Sequence, residues 1–165
     1  MTHKQESVDT ILNHIETNWT ETAKLVSPAV LRLVRVFQHL SRKLENMLSE
    51  YDLQIADFSV LAALRRSGVP YQLAPTQLYS SLLFSSGGLT KVLNRLSSLD
   101  YIERLDNPND KRSKLVKLTS SGKQLIERLV VQQHNYEQSF LSPLTTNEQK
   151  HLSDLLSKLL KEEDK

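Results

Sequence analysis

Between Tyr101 and Leu118 the chain reads YIERLDNPNDKRSKLVKL, two short runs that alternate apolar and polar residues, joined by a loop. Alternation of period two marks a half-buried strand, and Asn107-Pro108 is a turn signal. The spacing predicts strands over Tyr101–Leu105 and Lys114–Leu118, with Asp106–Ser113 as their connection. On both sides of this stretch the apolar residues follow the helical period instead. Such a chain must be mainly α-helical and must carry one small β-hairpin. The hairpin has a charged tip, with Asp110, Lys111 and Arg112 close together on it. Glycine usage agrees: Gly68, Gly87, Gly88 and Gly122 are too few for the turns of a β-rich fold.

The helices are punctuated by recognisable ends. Val8, Ile11, Leu12, Ile15 and Trp19 give a short amphipathic helix. Ser27-Pro28 is a cap followed by proline at the first helical position, opening a helix to about Glu50. Along it Val30, Leu33, Phe37, Leu40, Leu44, Met47 and Tyr51 are spaced alternately by three and four residues, the spacing of a helix–helix seam. A seam of this length exceeds what a small core needs, so it is expected to pack partly against a second subunit. A helix over Ile55–Arg66 presents Phe58, Leu61, Ala62 and Arg65, and Gly68 ends it. A short helix from Pro75-Thr76 carries Leu78 and Leu82. The next, capped by Ser85 or Ser86, turns Leu89, Val92, Leu93 and Leu96 inward and stops near Leu99. After the hairpin, Thr119 caps a long helix with Leu125, Leu129, Tyr136 and Phe140 on one face, and Pro143 breaks it. Thr145–Glu148 reads TTNE, a capping box, before a last helix expected to bury Leu152, Leu155, Leu156, Leu159 and Leu160.

Helix, short helix, helix and two-stranded arm is the order of a winged helix-turn-helix. It divides the chain into N-terminal helices (1–52), a winged lobe (53–118) and C-terminal helices (119–165). In that arrangement the helix after Ser86 enters a major groove and the hairpin tip reaches a minor groove, whose negative potential attracts arginine. Charge leans the same way. Ser86–Leu118 holds seven cations and four anions, while Glu137–Lys165 holds four cations and six anions, in a chain of net charge +2.

Other function classes find no support. Without cysteine there is no disulfide, thiolate metal site or thiol redox sensor. The five histidines lack metal-ligand spacing. Neither a nucleophile elbow, a phosphate-cradling glycine loop nor a paired-carboxylate signature occurs. No enzyme activity, metal or cofactor is expected. The start MTHKQESVDT is not a signal peptide, and the longest apolar run, VLAAL, is too short for a membrane span, so a cytoplasmic protein is expected.

The wing with its junction, YIERLDNPNDKRSKLVKLTSSGKQLIERL, resembles the signature of the MarR (multiple antibiotic resistance regulator) family of bacterial transcription factors. SSGGLTKVLNRL, Ser85 to Leu96, resembles that family's recognition helix. The resemblance is close from about Leu53 to Leu129. It implies a homodimer, clasped through its N- and C-terminal helices, that binds a pseudo-palindromic duplex operator and acts as a repressor. It places Arg112 at the wing tip in the minor groove, braced by Asp110, with Lys111 beside them. Ser86, Gly88, Thr90, Lys91 and Asn94 fall on the groove side of the recognition helix, and Thr76 at the backbone. Arg95 has two readings, a DNA phosphate contact or an internal ion pair. The extra N-terminal helix ending at Trp19 resembles the urate-responsive branch. There Ser59 stands at the aspartate position and Val92 at the arginine position, so no urate response is expected. A small aromatic or phenolic effector would then meet Trp19, Phe37, Phe58 and Ser59, although Trp19 also reads as a core anchor. The competing functional reading is a helical dimer that docks another protein and whose winged lobe no longer binds DNA.

Overall fold

The computed structural model describes residues 5–82, 88–108, 110 and 113–163, with side chains to position 161. The chain forms two units, Met1–Asp52 and Leu53–Lys165.

The first unit holds α1 (Val8–Asn18), α2 (Thr20–Ala23) and α3 (Pro28–Ser49). Ser7 caps α1 by accepting from the Thr10 amide, and Ser27 caps α3 by accepting from the Val30 amide. Pro28 follows at a position whose amide needs no partner. Arg32 pairs with Asp9 at 2.9 Å, and Arg35 donates to the Glu6 carbonyl at 2.7 Å, tying α1 to α3. Short α2 carries no periodic signal. Its N-cap is Trp19, which is 60% exposed, so the reading of Trp19 as a core anchor does not hold. Along α3, Leu44 and Leu48 are buried, whereas Val30, Leu33, Val34 and Phe37 are exposed. The seam is therefore half bare in the single chain.

The second unit holds α4 (Ile55–Arg66), β1 (Gln72–Leu73), α5 (Pro75–Ser80), α6 (Leu89–Ser98), β2 (Ile102–Asp106), β3 (Lys114–Leu118), α7 (Ser120–Leu141) and α8 (Thr146–Glu163). α4 is its centre, touching α5, α6, β3 and α7. Seven of its residues, Asp57 to Leu61 with Ala63 and Leu64, are buried, so the single apolar face expected from periodicity becomes burial on most sides. Gly68 adopts φ +80 just past its end, where a side chain would be strained.

The hairpin pairs as anticipated, with Ile102 opposite Leu118 and Asp106 opposite Lys114. Ile102, Val116 and Leu118 are buried, while Arg104, Asp106 and Lys114, on the same face nearer the loop, are exposed. Two details differ from the sequence reading. β2 starts one residue late, because the Tyr101 amide closes the end of α6 on the Leu96 carbonyl. A third strand, β1, also joins the far edge of β3, giving the order β1-β3-β2. Two residues are too short to alternate visibly, so β1 left no signal; it exists because β3 offers it a partner edge.

The junction into α7 is dense. Thr119 accepts from the Gly122 amide, and the hydroxyls of Thr119 and Ser121 both donate to the Asp100 carbonyl. Leu125, Ile126 and Leu129 bury the first half of α7. Before α8, the Glu148 carboxylate accepts from the Thr145 amide at 2.8 Å and its hydroxyl at 2.7 Å, the expected capping box. The leucines beyond it correct the expectation of burial. Leu152, Leu155, Leu159 and Leu160 are exposed, the last two by about 60%, and Leu156 is half-buried. Periodicity identified the apolar face of α8 but not whether this chain covers it.

The Thr145 amide and hydroxyl hold the Glu148 carboxyl below its ordinary value. A depressed folded-state pKa gives stability that is present above the unfolded value, about 4.3, and is lost as pH falls through the folded value. An NMR titration is therefore expected to find Glu148 titrating below the values ordinary for glutamates. Thr145→Val should move it back toward them, and an unmoved midpoint would show that the box is not formed in solution.

Candidate nucleic-acid interface

α6 has two chemically distinct sides. Val92, Leu93 and Leu96 are buried against the lobe, while Thr90, Lys91 and Asn94 are exposed. Its N-cap is Gly88 at φ +94, with no side-chain cap bond. A Cβ there would meet nothing within 4 Å, so glycine serves the left-handed backbone rather than space. This corrects the expected start of the helix. The serines expected as caps, Ser85 and Ser86, lie with Gly87 outside the described residues.

Arg95 forms the second of its two readings. Its Nε donates to Asp57 Oδ1 at 3.0 Å, its Nη2 lies 2.6 Å from Asp57 Oδ2, and Nη2 also donates to the Gln54 side chain at 3.0 Å. Asp57 is fully buried and accepts from the Gln54 amide at 2.8 Å as well. One carboxylate thus closes the first turn of α4 and holds α6 through a two-point guanidinium bond, the strong form of such contacts. Sequence reasoning missed Asp57. Its position three residues after Gln54 suits a cap, but nothing local announces that Arg95 arrives there.

The wing is laced across its strands. Lys117 pairs with Glu103 at 2.9 Å, and Lys114 pairs with Asp106, holding that carboxyl below its ordinary value. At the tip the Asp110 amide donates to the Asn107 carbonyl, and the Ser113 amide donates to the Asp110 carbonyl at 3.0 Å. Asn107 also donates to the Ser113 hydroxyl at 2.8 Å. Asp110 therefore sits inside a closed turn. Lys111 and Arg112 lie outside the described residues. From β2, Arg104 reaches across to α6 and donates to Asn94 Oδ1 at 2.6 Å. Thr76 is exposed on the first turn of α5, after Pro75.

The four residues named for an effector fall in different places. Phe58 and Ser59 are buried in the second unit, and the Ser59 hydroxyl donates to the Ile55 carbonyl at 2.9 Å. Trp19 and Phe37 are exposed in the first unit. A cluster not foreseen joins α4 to α7. The Arg65 guanidinium lies 4.9 Å and the Lys123 ammonium 5.3 Å from the centre of the Tyr71 ring, and Arg65 bonds Glu127 at 2.7 Å. The Glu127 bond raises the Arg65 pKa, and the guanidinium, charged in any case, stands as a cation over the ring. Among the described residues no group of three or more His, Asp or Glu side chains could hold a metal, and no helix is long and apolar enough to cross a membrane.

Comparison with known proteins agrees with this geometry. A family profile described as MarR family matches residues 51–113. The HTH-type transcriptional regulator PecS of Dickeya dadantii is 36% identical over 129 residues, covering 78% of each chain. The chain belongs to the MarR family. Solved MarR-family structures share its fold. A mutant MarR from Escherichia coli complexed with operator DNA superposes with TM-score 0.69 at 35% identity, covering 84% of this chain and 97% of that one. BpsR of Bordetella bronchiseptica, whose DNA binding is regulated by 6-hydroxynicotinic acid, superposes with TM-score 0.67 at 26% identity, covering 77% and 89%. The profile spans α4 through β2 and ends just before β3, so the Asp57–Arg95 clamp lies within the matched segment.

Proposed function

We propose that this MarR-family chain is a DNA-binding transcription regulator, acting as a homodimeric repressor on a pseudo-palindromic operator. The observation that carries the reading is the clamped helix α6, which offers Thr90, Lys91 and Asn94 outward beside a cross-laced hairpin. The relation to PecS and to operator-bound MarR supports it. α6 reads base edges in the major groove through Thr90, Lys91 and Asn94, with Gly88 at its start close to phosphate; Ser86, two residues earlier in the sequence, is a further candidate contact. Thr76 touches the backbone. Arg112, which follows Asp110 and Lys111 in the sequence of the loop, is the residue proposed for the minor groove. Arg95 serves by holding α6 rather than by touching DNA.

Homodimerisation accounts for two bare apolar faces: Val30, Leu33 and Phe37 on α3, and Leu152, Leu155, Leu159 and Leu160 on α8. Burying such surface stabilises by roughly 25 cal/mol per Å², and faces of this kind mark interaction sites. BpsR responds to a small heteroaromatic acid. By analogy a small aromatic or phenolic effector biases this regulator between DNA-competent and incompetent states, which requires unequal affinity for the two. The regulator works in the cytoplasm and is no enzyme.

The test is duplex selection from a randomised library, followed by titration across salt concentrations. A DNA regulator is expected to enrich a two-fold symmetric site and to lose affinity steeply with salt, in proportion to the phosphates it neutralises. On the enriched duplex, Arg112→Ala should weaken binding by about 1–3 kcal/mol. No enriched sequence and a flat salt response would instead favour the protein-docking reading.

A further inference from the structure

We infer that Asn94 and Arg104 form one reading unit that presents hydrogen-bond donors only, and that this unit selects guanine at one position of each operator half-site. The inference rests on the proposed DNA-binding function and deepens it.

Both side chains are exposed, on neighbouring elements of the same unit: Asn94 on the outward side of α6 and Arg104 on β2. They are joined by a short bond, Arg104 Nη2 donating to Asn94 Oδ1 at 2.6 Å. A guanidinium has five N–H groups and no acceptor, so the amide must turn its oxygen to Arg104. The orientation of the amide follows from chemistry alone, and its NH2 group points away from the arginine.

This changes what Asn94 can read. An unconstrained asparagine recognises adenine by accepting from N6 and donating to N7 at once. Here a cation sits on the oxygen. The second lone pair lies beside that cation, where the incoming adenine amino hydrogen, itself positive, is repelled. What remains toward the groove is the Asn94 NH2 and the rest of the Arg104 fork, all donors. Guanine is the base whose major-groove edge offers two acceptors, O6 and N7, and no donor. Arg104 is thus a positioning residue that converts Asn94 from an adenine reader into a guanine reader. Its strand is itself held by the Glu103–Lys117 and Asp106–Lys114 pairs on either side of it.

The full-length protein is taken through selection on a randomised duplex library, alongside Arg104→Ala and Asn94→Asp. The wild type should enrich guanine at one symmetric position per half-site. Asn94→Asp keeps the Arg104 partner and the shape of the side chain but removes the donor, so guanine preference at that position should fall about tenfold. Arg104→Ala frees the oxygen, and preference at the same position should move toward adenine. The other positions should stay as they were in both variants. A uniform loss of affinity with unchanged base preference would make Arg104 a phosphate contact and overturn the inference. So would variants that alter different positions, or a wild-type preference for adenine there. If the wild type enriches no sequence, the DNA-binding reading itself fails and takes this one with it. Asn94→Asp, nearly isosteric and on the surface, decides the matter even if Arg104→Ala does not fold.

Discussion

Arg95→Ala is expected to destabilise the protein by about 3–5 kcal/mol, the range for removing one partner of a buried ion pair. The arginine is itself a quarter exposed, but Asp57 has no contact with solvent. Truncating Arg95 leaves the carboxylate with its bond from the Gln54 amide and nothing to balance its charge. The loss is one of desolvation rather than of surface attraction, so added salt should not mimic it. Urea unfolding of wild type and variant provides the measurement. Pairing Arg95→Met with Asp57→Leu should recover most of the loss, because a well-packed apolar pair often replaces a buried ion pair at no net cost. About 1 kcal/mol should stay missing, the contribution of Asp57 as a capping side chain. A loss below 1 kcal/mol for Arg95→Ala would mean that the pair opens to water in solution. α6 would then not be held as described.

Gly122→Ala is expected to cost about 1–3 kcal/mol, against the direction of helix propensity. Alanine inside α7 should by itself gain about 0.5–1 kcal/mol over glycine. A Cβ at this position, however, would stand 2.0 Å from the Tyr101 carbonyl oxygen and 2.8 Å from its carbon. That carbonyl cannot step aside: the Tyr101 amide is bonded to Leu96, and the carbonyl accepts from the Thr119 amide. Either α7 lifts away or the link between α6 and β2 shifts, and overpacking of this kind costs about 1–3 kcal/mol. The shift would also move the recognition helix relative to the wing. Affinity for a selected duplex should therefore fall by more than the loss of folded protein explains. A variant as stable as wild type in urea would place α7 farther from Tyr101 than the structure does.

Much of the fold was legible because its signals are local. Ser27-Pro28, Thr119 and the Thr145–Glu148 box mark helix starts through bonds that span three residues, and each forms where its sequence places it. The alternation in KLVKL reads directly as β3, Lys114–Leu118. The outward residues of α6, Thr90, Lys91 and Asn94, follow from the spacing of Val92, Leu93 and Leu96 inside. The MarR-family signature in the wing and its junction is local too, carried by residues contiguous in the sequence.

Tertiary structure alone decided the pairings between elements. Asp57 and Arg95 stand 38 residues apart, and neither one's neighbours announce the other. Arg104 meets Asn94 only because β2 turns back along α6, and β1 is a strand only because β3 has an open edge. The leucines of α8 make the same point in reverse. Their spacing determines that they share a face, but periodicity says nothing about what covers it, and the described residues of one chain leave four of the five exposed. A hydrogen bond within one turn is set by backbone geometry that the residues themselves specify. A contact between elements depends on the angle and distance at which they pack, which every other contact in the lobe helps to set.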